Sequence, residues 1–262
     1  CACLVGSEMC IRDRNMIGAT QVPLGFAGPV RISGEYANGD FIVPLATTEG
    51  ALVASISRGM SVINDSGGVR TKVFGDYMTR APVLRVRDLE HACQVIEWID
   101  AHEDEIKAAV SGTTSHGRLA RIEKFPTGRN LYLRFSFETG DAMGMNMATI
   151  ASEAACKVIE EATDAVMVSV SGNMCSDKKP AAINMIEGRG KTVVAEALIP
   201  RETVEKRLHT SAELVVETNI RKNFIGSSMA GTLGANAHAA NMVAAFYICL
   251  LYTSDAADDR IS

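Results

Sequence analysis

The sequence predicts an α+β protein in which a compact β-α-β-β-α-β unit is inserted into a larger, helix-rich α/β domain. Three observations predict it. Between Pro82 and Gly172, strand-like and helix-like patterns follow one another in that order. Residues 15–81 and 173–248, on either side, carry further amphipathic helical patterns. The chain has 262 residues, 47% of them hydrophobic, which is enough for one large domain or two smaller ones with a real core.

The elements follow from periodicity. Phe41 to Leu45 reads as a strand, and Thr48 to Ile63 as a helix capped by Thr47 or Thr48. Val83 to Val86 opens the inserted unit as a strand. Asp88 then caps a helix with Leu89, Ala92, Cys93, Ile96 and Ile99 at three- and four-residue steps. Leu119 to Ile122 alternates apolar and charged residues. Asn130 to Phe137 alternates more strongly, with Leu131, Leu133, Phe135 and Phe137 on one face and Tyr132, Arg134 and Ser136 on the other. A helix over about Met143 to Ala162 and a strand over Val166 to Val170 complete the split βαβ order of ferredoxin-like domains. Beyond it, Glu202 to Val216 reads as a helix with Val204, Leu208, Ala212 and Val215 on one face. Gly226 to Gly234 is rich in glycine and serine, and Ala235 to Tyr247 is helical.

Charge and cysteine usage narrow the function classes. A net charge of −5 argues against a nucleic-acid surface. The longest apolar run, Ala239 to Tyr252, contains Asn241 and is too short to span a bilayer. Cys93, Cys156 and Cys175 are single and form no CxxC pair. They read as buried free thiols in a reducing cytoplasm, with no disulfide frame and no metal site. Cys1–Arg14 and Cys249–Ser262 share no periodicity with the elements beside them, and Cys1–Arg14 lacks the basic and apolar regions of a signal peptide. Both ends read as non-native, adaptor-derived sequence.

The most informative stretch is Ser171 to Asn184, SGNMCSDKKPAAIN. Lys178 and Lys179 stand side by side after Asp177, and two adjacent ammonium groups repel unless an anion lies between them. A solvated basic turn is the plain reading. The small and apolar surroundings favour a partly buried loop facing an anion. Glu49 follows a strand and opens a helix, where the helix dipole alone would favour a carboxylate. Its small neighbours Ala46, Thr47, Thr48, Gly50 and Ala51 also suit a poorly hydrated carboxyl that could deliver a proton near neutral pH. Asp141 to Met147, DAMGMNM, is not a Rossmann fingerprint, and its methionines suit a core. A helix N-terminus carrying Gly144 can nevertheless receive a pyrophosphate.

Four motifs in order, Pro-Leu-Ala-Thr-Thr-Glu-Gly (44–50), Gly-Asp-Ala-Met-Gly-Met-Asn-Met (140–147), Asp-Lys-Lys-Pro-Ala-Ala-Ile-Asn (177–184) and Gly-Ser-Ser-Met-Ala-Gly (226–231), resemble 3-hydroxy-3-methylglutaryl-coenzyme A (HMG-CoA) reductase in its class I form. The resemblance runs from about Asn15 to Ile248. It implies a large HMG-CoA-binding domain (15–81 and 173–248) and a small NADP-binding domain (82–172). It implies reduction of HMG-CoA to mevalonate and free CoA, with NADPH favoured over NADH, in a homodimer or dimer of dimers with shared active sites.

The resemblance also implies the site residues. Glu49 matches the proton-handling glutamate. Lys178 matches the lysine that stabilises negative charge on the thioester oxygen. Ser171, Asp177 and Lys179 match residues lining the hydroxymethylglutaryl pocket. Arg80, by itself an ordinary surface arginine, matches the clamp on the substrate's free carboxylate. Arg58, Lys222 and Asn223 match positions contacting coenzyme A or the lysine loop, and Asn241 matches an asparagine near that lysine. Asp141, Ala142, Met143, Gly144, Met145 and Asn146 match the cofactor loop. Arg118 matches a basic residue near the adenosine 2′-phosphate, although His116 and Gly117 depart from the usual pattern there. Glu49, Lys178 and Asn241 are expected to converge, with Lys178 within roughly 4 Å of a carboxylate.

The family's Gly-Gln-Asp motif is replaced by Cys249-Leu-Leu-Tyr-Thr-Ser and its late histidine is absent, so little turnover is expected of the chain as it stands. A non-catalytic CoA- or nucleotide-binding module is the alternative. A ferredoxin-like regulatory domain joined to unrelated helices is a third reading, and it leaves the Glu49 and Lys178 motifs unexplained.

Overall fold

A computed structural model describes Ile17 and residues 20–258, with side chains through Leu250. The predicted character of Cys1–Arg14 therefore lies outside the described residues. Strands β1 (Leu24–Gly34) and β2 (Asn38–Ala46) form an antiparallel hairpin. Helix α1 (Gly50–Asp65) packs Leu52 and Ile56 against Ala27 and Leu45 of that hairpin. Strand β3 (Val69–Arg80) runs parallel to β1 at one end. Its other end, Met78–Arg80, pairs antiparallel with Phe137–Phe135 of β6 (Asn130–Glu138). One long strand thus belongs to both halves of a curled, eight-stranded sheet. Strand β8 (Gly190–Glu196) covers the free edge of β3, antiparallel.

After Pro82 the chain continues along the same edge of β6 as β4 (Val83–Arg85). Strands β5 (Arg118–Thr127) and β7 (Val166–Ser169) complete this half in the order β7-β4-β6-β5, every pair antiparallel. Helices α2 (Leu89–Ala101), α3 (Glu103–Ser111) and α4 (Met145–Thr163) bury their apolar faces against it. Asp88 caps α2 as predicted, its carboxylate accepting from His91 N at 2.8 Å. The buried face of α2 is His91, Ala92, Val95 and Ile99, while Leu89 and Cys93 are exposed. Cys93 therefore departs from the expected buried thiol, because the helix is rotated one residue from the expected stripe. Cys156 and Cys175 are buried, and burial among apolar groups pushes the Cys156 thiol far above its usual range.

Helix α3 was not anticipated. It follows α2 after His102 alone, opens on Glu103, Asp104 and Glu105, and buries only Ile106 and Val110. Strand β6 also differs from expectation. Leu131, Leu133, Phe135 and Phe137 are all 0% exposed, but so are Arg134 and Ser136 on the opposite face. That face is covered by the turn leading into β8: Arg134 Nη2 donates to Gly188 O at 2.7 Å, and Nη1 to Glu123 Oε2 at 2.7 Å. A strand expected to be half-solvated is covered on both faces, with its arginine neutralised inside.

The remaining helices are α5 (Ala182–Ile186), α6 (Arg201–Leu208), α7 (Ala212–Thr218), a π-helical stretch (Asn219–Gly226), α8 (Ser227–Ala230) and α9 (Ala239–Asp258). The single helix expected over 202–216 is broken at His209, which takes the left-handed conformation at φ 53°, and Ser211 caps the second half. Of the expected stripe only Val204 is buried. Arg207 tethers α6 to α1 through Asp65 at 2.5 Å, which holds the Asp65 carboxyl below its usual range. The stretch rich in glycine and serine, 226–234, is helical through Ala230. Helix α9 begins at Ala239, where Asn236 Oδ1 accepts its amide at 2.9 Å, and continues ten residues past Ile248. Val243, Tyr247 and Ile248 are 54%, 51% and 58% exposed and form an apolar surface on this helix. Among the described residues no helix is long and apolar enough to cross a membrane.

Candidate active site

Glu49 occupies the cap position before α1 rather than its first turn, with extended backbone (φ −85°, ψ 105°). Its side chain makes no cap bond. Its amide donates to Thr47 Oγ1 at 3.0 Å. The expected dehydration is not found: Glu49 is exposed, because the residues flanking it are too small to cover it. Its carboxyl is nevertheless held. Asn241 Nδ2, in the first turn of α9, donates to Glu49 Oε2 across 192 residues of sequence. The contact forms because α9 packs on β2 and places Ala245 in the same small core as Leu45, Leu52 and Ile56.

The loop after β7 is built on its own hydrogen bonds. Thr79 Oγ1 donates to Cys175 O at 3.1 Å and Asn184 Nδ2 to Ser176 O at 2.9 Å. Ser171 Oγ lies 3.2 Å from Cys175 Sγ, and that sulfur lies 4.0 Å from Asp177 Oδ1. The structure thus brings Ser171, Cys175 and Asp177 together. Lys179 Nζ donates to Asn173 Oδ1 at 3.2 Å. Lys178 is exposed. Among the described residues Lys107, Lys124 and Lys191 have a carboxylate within 4.0 Å, and Lys178 does not. The expected meeting of Lys178 with a carboxylate therefore does not occur within one chain: the loop is anchored by its backbone and directs this lysine outward.

Arg80 ends β3 half-buried beside α4, and its Nε and Nη2 donate to Thr149 Oγ1 at 3.0 and 2.6 Å. It is a positioned guanidinium and no longer reads as a plain surface arginine. Arg58 is exposed on α1. Lys222 and Asn223 lie in the π-helical stretch, where Asn223 Nδ2 donates to Asn219 Oδ1 at 2.7 Å. Both line a cleft of about 490 Å³ with Thr210, Leu214 and Ala237.

Residues 139–144 form a closed turn ahead of α4. Thr139 Oγ1 donates to Ala142 O at 2.6 Å. Gly144 is left-handed at φ 73°, and a Cβ there would lie 2.5 Å from Thr139 Cγ2, so only glycine fits. Asp141, Ala142 and Met143 line a cleft of about 480 Å³ together with Arg189, Lys191, Phe246 and Tyr247. Met145 and Asn146 begin α4, with Asn146 exposed. Arg118 lies outside this cleft and is paired with Glu138 at 2.7 Å across β5 and β6. Arg189 was missed by the sequence reading; an arginine between two glycines, Gly-Arg-Gly, was the available signal. A larger cleft of about 960 Å³ lies beside Arg31, Gly67, Gly68 and Leu198. It contains none of the predicted site residues, so size does not locate the chemistry.

Residues 9–252 match the family model described as hydroxymethylglutaryl-coenzyme A reductase. The chain is similar to the 3-hydroxy-3-methylglutaryl-coenzyme A reductase of Pyrococcus horikoshii, 55% identical over 236 residues, which are 89% of this chain and 57% of that protein. It is 53% identical to the Halobacterium salinarum reductase over 234 residues, 89% of this chain and 58% of that protein. The Xenopus laevis reductase is 50% identical over 238 residues, 89% of this chain and 26% of that protein. The chain thus spans less than two thirds of the curated relatives it matches. Among solved structures, the fold is similar to the class II reductase of Streptococcus pneumoniae bound to NADPH in open conformations, with a TM-score of 0.64 at 19% identity, covering 86% of this chain and 57% of that one.

Proposed function

The chain belongs to the hydroxymethylglutaryl-coenzyme A reductase family, and from that premise we propose that the whole protein reduces HMG-CoA to mevalonate and free CoA with NADPH. The observation that carries this reading is the hydrogen bond from Asn241 to Glu49, which joins the Thr-Thr-Glu-Gly motif to the first turn of α9, 192 residues away. Glu49, held by one carboxyl oxygen and open to solvent, is the proton-handling group. Lys178 stabilises the charge that develops on the thioester oxygen. Ser171, Asp177 and Lys179 line the hydroxymethylglutaryl pocket, and Arg58, Lys222 and Asn223 contact the coenzyme A side.

NADPH supplies the hydride. Glycine at 144 lets the turn close on the Thr139 side chain, and residues 139–143 of that turn line the 480 Å³ cleft in which the cofactor would lie. Asp141, Ala142, Met143, Met145 and Asn146 would hold the cofactor beside it. Arg118, already paired with Glu138, fits the 2′-phosphate less well than the loop fits the rest.

The finer assignments are part of the same proposal. The strand order β7-β4-β6-β5 supports a ferredoxin-like cofactor domain over 82–172, inserted into the large domain. Class I membership is supported by the Asp-Lys-Lys-Pro-Ala-Ala-Ile-Asn motif. An outward-facing Lys178 and exposed Phe224 (53%), Ile225 (53%), Val216 (58%) and Leu198 (87%) support a dimer in which the second copy completes each site.

The test of the activity is mevalonate formation from HMG-CoA and NADPH by the chain completed to the length of its relatives; NADPH oxidation without mevalonate would reject it. In that protein Arg80→Lys keeps the charge and loses the fork that grips a carboxylate. It should raise KM for HMG-CoA about ten-fold with the NADPH KM nearly unchanged. An unchanged HMG-CoA KM would remove Arg80 from the carboxylate clamp.

A further inference from the structure

We propose that Arg189 is a further cofactor-binding residue, placed to grip the pyrophosphate of the dinucleotide where the 139–143 turn meets the N-terminal end of α4; this rests on the cofactor reading above.

The turn that carries Arg189 is built to a fixed shape. Gly188 and Gly190 flank it with left-handed backbones, φ 76° and 66°. Two arginines from the neighbouring sheet pin its carbonyls: Arg121 Nη2 donates to Glu187 O at 3.0 Å and Arg134 Nη2 to Gly188 O at 2.7 Å. The Arg189 side chain is thereby directed between β3 and α4. There its Nη2 meets two thioethers, Met78 Sδ at 3.3 Å and Met145 Sδ at 3.8 Å, and its Nε is buried with no acceptor. Among the described residues no carboxylate lies within the 4.0 Å of an ion pair with it.

A guanidinium keeps its charge in any protein environment, and thioether sulfur is a weak acceptor. Burial disfavours this cation. Asp177 and Cys175 offset that only in part, and Arg134 and Arg80 oppose them. The side chain is thus a preorganised, partly dehydrated fork without a strong acceptor, at the wall of a cleft. Phosphate oxygens match such a fork bidentately. The positive end of the α4 dipole favours negative charge at the same place. Lys191, the other cation of the cleft, is tied to Asp76, which leaves Arg189 as the donor with capacity to spare. Phe246 and Tyr247 also line this cleft and give an aromatic surface suited to the rings that flank a pyrophosphate.

The test uses the chain as described, with NADPH binding followed by fluorescence and inorganic pyrophosphate binding by calorimetry. Arg189→Gln should weaken both by about ten-fold or more, and Arg189→Lys, which keeps charge without the fork, should fall between. The melting temperature of Arg189→Gln should not fall, because the substitution removes a dehydrated cation with no ion-pair partner. NADPH binding that is equal in the wild type and Arg189→Gln overturns the proposal and leaves the cofactor reading intact. Pyrophosphate binding that depends on Arg189 in a protein that does not bind NADPH keeps the anion site and rejects the cofactor reading. A protein that binds neither probe, or an Arg189→Gln variant that melts lower with unchanged affinities, overturns the assignment.

Discussion

Replacing Lys178 by alanine, in the protein completed to the length of its relatives, is expected to lower kcat for HMG-CoA reduction by about 10²–10³-fold. Hydride delivery to a carbonyl leaves negative charge on oxygen, and a fixed cation aimed at that oxygen acts chiefly in the transition state. The loss should therefore fall on kcat more than on KM. Lys178 is exposed and forms no ion pair among the described residues, so its removal should leave the melting temperature unchanged. Glu49→Gln should be comparably inactive for a different reason, the loss of a proton carrier. If a second copy completes each site, refolding the two inactive variants together should restore about a quarter of wild-type activity. Half of the dimers are then mixed, each with one intact site of two. Equal kcat in Lys178→Ala and wild type would remove this lysine from the chemistry. Inactive mixed dimers would place Lys178 and Glu49 in the same copy's site.

Both residues were legible in the sequence as members of motifs, and their relation was not. Periodicity reports which face of an element is buried. It says nothing about two helix starts 192 residues apart, so the Asn241–Glu49 contact needed the packing of α9 on β2. The hydration of Glu49 was misjudged for a related reason: small neighbours were read as a close wall, whereas in space they are too small to cover the carboxyl. Arg189 went unnoticed because its unusual feature is a missing acceptor, and only a three-dimensional neighbourhood reveals one.

The fold was legible where one face of an element carries the burial. Strand β6 and helices α2 and α4 lie within two residues of their expected bounds, because long apolar stripes face a common core. Strands β1, β3 and β8 carry no such stripe. Most of β8 is exposed, and β3 alternates buried and exposed residues weakly before entering the core at Met78. The break at His209 carries no glycine or proline to announce it, so two helices read as one.

Glu123→Ala is expected to destabilise the fold by about 3–5 kcal/mol, far more than an ordinary strand substitution. Glu123 Oε2 is the carboxylate that neutralises Arg134, at 2.7 Å, with side-chain exposures of 13% and 0%. Removing it leaves a guanidinium buried between β6 and the turn at Gly188, unable to deprotonate and unable to reach water. Arg121, 3.3 Å from the same carboxylate, would add its own repulsion. Glu123→Gln, which retains an acceptor and loses the charge, should cost about 1–3 kcal/mol. The double variant Arg134→Met with Glu123→Leu separates charge from shape. Apolar replacement of both partners should recover most of the lost stability, since the desolvation of two ions disappears with them. The same variant releases Gly188 O, which Arg134 holds at 2.7 Å, and should loosen the turn that aims Arg189. Stability and NADPH affinity are therefore expected to part company: urea midpoints close to wild type, NADPH binding still weak. A loss below about 1 kcal/mol in Glu123→Ala would mean that water reaches Arg134 and that the pair is a surface bridge.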